Sequence, residues 1–583
     1  MKRKLIGSIL LFISLCALRI LSYSVVRGPG VDYYVSNSEG NDDNTGTSKS
    51  KAWKTLSKVS SMTFKPGDRI HLKSGDVWEK ETLKLNGNGT SDFPIIVSSY
   101  GKGDKPKISP KIVDADCVYL SGREGWKITN LELSDARWGV HLEFDHDYNN
   151  DYIEINNLYI HDMTWKYNSN PETYNHFSAG ICVKSLAEPN NLWDAETQPV
   201  VLTNYSVRNV RFYNCDLPYW SGQVGSGFIA NGVGRIKKFK IENCTAEFSR
   251  LAGYSFCFMD EGTITNVNSF VSGLDSYWPG STGFLLAHVR DTVVSDCEIA
   301  YTHRHPMQQY DGCGFDFEGD NHNVTLKNSR IHHNDASSIF VFDNMGKAVN
   351  TNIKIQNCVI ENFGLSDMNH RGGVYFVGKS TGILENNTIN NTRADVYFCF
   401  KGDYSGFEIK NNKENNLATK WIWLFDMNYY TKGWFSEAEV ANFVSPMIEA
   451  GVAKHKINPP LSEQERGIQA KYGSLNVTVK SVDSFIYSPD ALEMQTNKHK
   501  TIRIKMKNNT SGTTAKLYWK LKSNLAWIEE NSLNFNITPN DPQFSEYILD
   551  LTKSKGWEGT VWQFRILPSM AEGNVQIQSF VVD

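Results

Sequence analysis

The densest set of side chains able to do chemistry lies in one stretch, THRHPMQQYDGCGFDFEGDNHNVTLKNSRIHHNDASSIFVFDN, residues 302–344. Within it, Phe315 and Phe317 alternate with Asp316 and Glu318. Successive side chains of a strand point to opposite faces, so two inward rings place the two acids together on the outer face. Their Cβ atoms would then be about 6.5–7 Å apart. The carboxyl pair of a glycosidase is separated by about 5–9.5 Å, one member acting as acid and the other as base or nucleophile. Asp311 stands three residues before Gly314, and Asp335 three before Ser338. If those small residues open stacked strands, the two carboxylates meet about 4.8 Å apart. Carboxylates that close do not both ionise cheaply, so one is driven to keep its proton. Asp311, Asp316, Glu318 and Asp335 are the candidate catalytic residues. His303, Arg304 and His305 overhang from the preceding loop, and His370, three before Gly373, falls in the same column. With Arg371, Trp278 and Phe340 they are the candidate substrate-binding residues. The same acids would also suit a structural Ca²⁺, which takes hard oxygen ligands. The carboxylate chemistry itself requires no cofactor and no catalytic metal. His332 and His333 read as partly buried turn residues.

What must position these residues is a repeat. The segments KITNLEL, IEINNLYI, VRFYNCDL, FKIENCTA, TITNVNSF, VVSDCEI, VTLKNSRI, IKIQNCVI, GILENNTI and FEIKNNKE are alternating strands broken by one polar marker. The markers are Asn130, Asn157, Asn214, Asn243, Asn268, Asp296, Asn328, Asn357, Asn386 and Asn411, spaced by 27, 57, 29, 25, 28, 32, 29, 29 and 25 residues. A second series interleaves with it, each member a small residue followed by alternating apolar positions: GVHLEF, GICVK, GFIAN, GYSFCF, GFLLA, GFDFEG, SIFVF, GVYFV and ADVYFCF. Short strands stacked at this period describe a right-handed parallel β-helix, with coils about 4.8 Å apart. The marker amides are expected to form a ladder inside the turns. The longest gaps fall before Gly180, Gly283, Gly314 and Gly373 and hold many His, Trp, Tyr and Asp residues. Such loops on one side of a rigid scaffold would wall a groove over the small-residue strands. The insertion between Lys184 and Val201 leaves from the other end of its strand and would form another wall.

Composition narrows the partners. Charged residues are 21% of the 583 and the net charge is −4, without a basic stripe, which disfavours nucleic acid. Aromatic residues reach 12%, enough to supply flat platforms for sugar rings as well as a core. Met1-Lys-Arg-Lys followed by the apolar run Leu5 to Leu18 reads as a signal peptide over residues 1–24, too short to span a bilayer comfortably. The chain is expected to be secreted or periplasmic and monomeric, with a lipid anchor at Cys16 as the alternative. Without Cys16 nine cysteines remain, an odd number with no C-x-x-C pair. Cys215, Cys244, Cys297 and Cys358 each follow a marker, as small core residues of a repeat would.

The chain divides into a β-helix with an N-terminal cap over 32–430, a helical cap and linker over 431–472, and a β-sandwich over 473–583. The segment Ala52 to Ser60 reads as a short amphipathic helix that closes the open solenoid end. WIWLFDMNYY is taken as a last solenoid strand and FSEAEVANFVSPMIEAG as a helix. After Ser474, TIRIKMKNN, AKLYWKL, EYILDL, VWQFRILP and VQIQSFVV alternate as sandwich strands do. This region resembles the galactose-binding-like modules appended to Bacteroidota polysaccharide-degrading enzymes. Trp519, Trp527, Trp557 and Trp562 are candidates for its core or for a sugar platform.

The opening YYVSNSEGNDDNTGT together with DGCGFDFEGDNHNVTLKNSRIHHND resembles β-helix glycoside hydrolases of the type containing α-L-fucosidases and xylanases. The resemblance covers roughly residues 30–430 and implies an exported enzyme that cleaves a polysaccharide or oligosaccharide. A polysaccharide lyase is the alternative, with Lys184, Arg250, Arg290 and Arg371 as candidate bases or charge neutralisers. A non-catalytic glycan-binding solenoid is the third reading, and it would need no convergent acids. Fold alone does not choose between them.

Overall fold

The computed structural model describes residues 30–583 apart from 146–147, 168–176, 186–198, 222–233, 275–280, 305–310, 344–345, 347, 365–371, 392–398, 417–419, 427–430, 443–446, 450–451, 455–462 and 491. The small-residue strands form one sheet of eleven, running from Leu83–Lys84 through Thr282–Ala287, Cys313–Phe317, Ile339–Phe342 and Val374–Val377 to Phe400–Gly402. Every pairing in it is parallel, as stacked coils require. The marker strands form the facing walls, hydrogen-bonded from coil to coil into a bent sheet of twenty-five strands. Inward residues of all walls share one core, including Phe284, Phe315, Phe317, Ile339 and Val374.

The markers act differently from expectation. All except Asn268 adopt positive φ, between 51° at Asn214 and 58° at Asp296 and Asn386; in the Asn268 coil Asn266 takes that role at 52°. A left-handed residue turns the chain sharply between two walls, and Asn and Asp adopt it more readily than other residues that carry a Cβ. Their amides stack on the outside: Asn157 donates to Asn130 at 3.1 Å and Asn266 to Asn243 at 2.9 Å, both exposed. The buried ladder uses other residues. Asn321 Nδ2 donates to Asn350 Oδ1 at 2.9 Å, and Asn387 Nδ2 donates to Asn412 Oδ1 at 2.9 Å. The residue after the marker supplies the core, and Cys215, Cys244, Cys297 and Cys358 all point into it. All nine described cysteines are buried, and none is joined to another in a disulfide.

At the N-terminal end, Leu56–Ser60 forms the capping helix, with Thr55 Oγ1 accepting from the Lys58 amide and Leu56 and Val59 buried in the solenoid core. Among the described residues no helix is long and apolar enough to cross a membrane.

The C-terminal region is two antiparallel six-stranded sheets around a separate core, with Phe564 and Phe580 in contact across it at 5.5 Å. Its extent differs from expectation. Trp421–Leu424 pairs antiparallel with the final strand at Ser579–Val582, so WIWL is a sandwich strand and not the last solenoid coil. Phe435–Ser436 pairs with Ile486–Tyr487, and Ile468–Lys471 with Ser474–Val479, so part of the expected linker is also sheet. The predicted helix shrinks to Glu437–Asn442, followed by a strand at Met447–Glu449. Trp519 and Trp557 lie against the sandwich core, their indole N–H groups bonded to Gly556 and His499 carbonyls.

Candidate active site

Phe315 and Phe317 face the core and are fully buried, so Asp316 points to the outer face of the eleven-strand sheet, as the alternation required. Lateral register puts Asp316 between Leu285 of the preceding coil and Phe340 of the next. The outward column continues through Tyr375 to Lys401. Phe340 stacks on Tyr375 at 5.5 Å and on Phe342 at 5.6 Å, and the Lys401 ammonium lies 5.2 Å from the Tyr375 ring centre. On the other side lies an apolar patch of Cys257, Phe258, Leu285 and Ala287. The acids thus sit in an apolar band on the outer wall.

That setting governs their charge. Asp316 is 1% exposed, whereas Glu318, two residues on, is partly open to solvent. The two carboxyls are near enough that each affects the proton affinity of the other. Burial, then the neighbouring charges of Glu318 and Asp311, raise Asp316 well above the usual carboxylate range. Burial and the charge of Asp311 push Glu318 up to about 8. Asp311, Asp316 and Glu318 therefore form one electrostatic group that carries protons through neutral pH.

Stability should follow from this. A carboxyl whose pKa is higher folded than unfolded makes the native state the better proton binder, so stability falls as pH rises. The loss begins near the unfolded value, 4.5 for Glu, and is complete above about 8. Wild-type melting temperature should decline over that window relative to an Asp316→Asn/Glu318→Gln double variant. Thermal melts from pH 4 to 9 that run parallel for both proteins would show that the pair is not protonated in the fold.

Asp335 takes a separate place. It is fully buried, and its Oδ2 accepts from the Arg304 amide at 2.9 Å and lies 2.9 Å from His303 Nδ1. Asp311 and Asp335 do stand at equivalent positions, each five residues before the paired Asp316 and Phe340. The groups through which Asp311 is felt, however, are Asp316 and Glu318. Arg304 is buried, and its guanidinium reaches Asp490 of the sandwich at 3.3 Å. Trp278, His305, His370 and Arg371 lie outside the described residues, as do the cores of the four long loops and the insertion after Lys184. Of the other candidate bases, Arg250 donates to Asn214 at a marker corner, and Arg290 lies 3.7 Å from Asp320 on a facing wall. Among the described residues no group of three or more His, Cys, Asp or Glu is arranged to hold a metal ion.

Two features escape a reading of the sequence alone. Tyr375 and Phe342 extend the platform beside the acids; their signal is the polar-tipped or aromatic member at outward positions of GVYFV and SIFVF. On the same outer column, towards the N-terminal end, His141 bridges Asp116 at 2.9 Å and Glu143 at 3.3 Å, and Tyr119 donates to Glu143 at 2.5 Å. The hydrogen bond from His141 holds the Glu143 carboxyl down at about 2. Lys184 lies over the Trp138 ring in that group, 4.6 Å from its centre.

Comparison with known proteins agrees with the coil geometry. Residues 200–367 match the family described as "right handed beta helix region". The solenoid is a right-handed parallel β-helix. A lacto-N-biosidase of Bifidobacterium longum subsp. longum is 31% identical over 295 residues, covering 46% of this chain. The matched part is 17% of that protein, so this chain spans about a sixth of the length of the curated relative. The crystal structure of a GH136 lacto-N-biosidase from Eubacterium ramulus superposes with a TM-score of 0.51 at 20% identity, over 66% of this chain and 68% of that one. At that identity the likeness is one of fold.

Proposed function

We propose that the protein is a glycoside hydrolase whose working carboxyls are Asp311, Asp316 and Glu318. The observation that carries this reading is the outward Asp316, set between Leu285 and Phe340 with Glu318 two residues on, both holding protons beside the charge of Asp311. Glu318, partly exposed and protonated at neutral pH, gives its proton to the departing glycosidic oxygen. Asp311 is the ionised partner that activates water or attacks the sugar carbon. Asp316, sealed in the wall two residues before Glu318, stays protonated, and burial together with the charge of Asp311 keeps the Glu318 pKa high. Phe340 and Tyr375 offer ring faces to the apolar side of a sugar. Asp335 holds the Arg304 backbone, with His303 as its partner.

The relatives support a hydrolase over a lyase and move the substrate expectation away from fucosides and xylan. The reading we favour is a glycan bearing a lacto-N-biose unit, acted on outside the cell by a protein exported through its Lys-Arg-Lys and apolar N-terminus. The test is incubation with such oligosaccharides beside xylan, fucosylated glycans and uronate polysaccharides. Released sugars and reducing ends are measured together with the ultraviolet absorbance of unsaturated uronates. New reducing ends without that absorbance are expected. Unsaturated products would make the protein a lyase, and binding without any product would make it a glycan-binding solenoid.

A further inference from the structure

The C-terminal sandwich reaches the solenoid beside the candidate acids. We infer that it holds Asp311 and Gly312 in register through Asp490, which is therefore a positioning residue for the site. The inference rests on the reading of Asp311 as a working carboxylate.

His303–Arg304 and Asp311–Gly312 are tied to the same few groups. Upstream, the His303 amide donates to Ser272 O at 2.7 Å, and Ser281 Oγ donates to His303 O at 2.7 Å. Downstream, the Gly312 amide donates to Ser281 O at 2.7 Å, and Gly312 O accepts from the Ala336 amide at 3.1 Å. Asp335 joins the anchors by accepting from the Arg304 amide. Gly312 has φ of +92°, and a Cβ placed there would lie 2.9 Å from Arg304 Cβ and 3.4 Å from Asp335 Cβ. The Arg304 side chain thus packs directly against the residue that follows Asp311.

One group that holds the far end of Arg304, Asp490, belongs to the other domain. Asp490 lies just beyond the strand Ile486–Tyr487, and the chain before it is rigidly held. The Ser488 amide donates to Phe564 O at 3.0 Å, and Gln563 Nε2 donates to Ser488 O at 2.9 Å. The contact has neighbours of matching chemistry. Lys432, bridged to Asp426 at 3.2 Å, lies over the Tyr301 ring of the solenoid at 5.6 Å, and the half-buried Glu439 feels the charges of Arg466 and His303. A guanidinium with 5% exposure keeps its place only while its charge is matched. Replacing Asp490 removes one of the groups that hold it and should let Gly312 and Asp311 shift. Misplacement by about 1 Å can cost on the order of a hundredfold in rate.

The experiment uses the full chain with Asp490→Asn and Asp490→Glu. It reads melting temperature, kcat and KM, and the Glu318 titration by carbon NMR of labelled glutamate. If Asp311 moves away, its charge no longer raises Glu318, so the Asn variant should titrate below about 8. It should also lose roughly ten- to a hundredfold in kcat with a smaller change in KM, and Asp490→Glu should restore both. An Asn variant that melts lower but titrates and turns over as wild type would overturn the inference, because a purely structural tether predicts that result. If Asp490→Asn does not fold, Arg304→Lys, which keeps the charge but loses reach, is read by the same criteria. A shifted titration in a protein that cleaves no glycan would uphold the positioning role and discard the hydrolase. Cleavage with unmoved titration and kcat would discard the positioning role alone.

Discussion

Glu318→Gln should lower turnover on a natural glycan by roughly 10²- to 10⁴-fold, the range that a positioned general acid contributes. The loss should depend on the leaving group. A sugar alkoxide needs the proton as the bond breaks, whereas a nitrophenolate does not, so an aryl glycoside should be cleaved with a much smaller deficit. The wild-type rate should also fall above about pH 8, where Glu318 loses its proton. That basic limb should be missing from the residual activity of the variant. Asp311→Asn should impair both substrates, because its role does not depend on the leaving group. Rates for Glu318→Gln equal to wild type on the natural glycan would remove Glu318 as the acid.

The second large effect lies beneath the site. Phe315 is fully buried in the solenoid core, with its ring centre 4.8 Å from that of Phe317 and 5.9 Å from that of Phe284. Phe315→Ala should cost about 3–5 kcal/mol, the sum of lost transfer energy and the cavity left behind. In a solenoid each coil contacts only its neighbours, so the damage should begin locally. Hydrogen exchange in Cys313–Phe317 and the flanking strands at Thr282–Ala287 and Ile339–Phe342 should accelerate more than in the distant N-terminal coils. Uniform acceleration along the chain would show that the β-helix unfolds as one cooperative block.

Much of this is legible in the sequence because a β-helix repeats its instructions. The alternation in GFDFEG assigns Phe315 and Phe317 to the core and Asp316 to the outer wall, and parallel stacking follows from the spacing of the small residues. What is not legible depends on partners far away in the chain. Asp316 faces outward yet is buried, because Leu285 and Phe340 flank it on adjacent coils, and alternation tells direction but not cover. Arg304 reads as a substrate ligand; its partner Asp490 is 186 residues away and belongs to another domain. The period of the Asn markers is visible, but their left-handed φ is not, so a bend on the outside reads as a ladder on the inside. Trp421 and Trp423 alternate equally well as solenoid or sandwich residues. Only the pairing with Ser579–Val582, more than a hundred residues on, assigns them.

The buried cysteines have a consequence for how the chain tolerates its surroundings. A thiol exchanges or oxidises through its thiolate and needs access to a partner. Burial pushes Cys182, Cys244, Cys257, Cys297 and Cys358 up to about 12, and none of the nine described thiols is exposed. Once the coils have closed, neither an oxidant nor a thiol reductant finds a bond to make or break among the nine described cysteines. The folded protein should therefore keep the same melting temperature in glutathione disulfide as in dithiothreitol. The vulnerable interval is before closure, when cysteines on neighbouring coils are still exposed and can cross-link out of register.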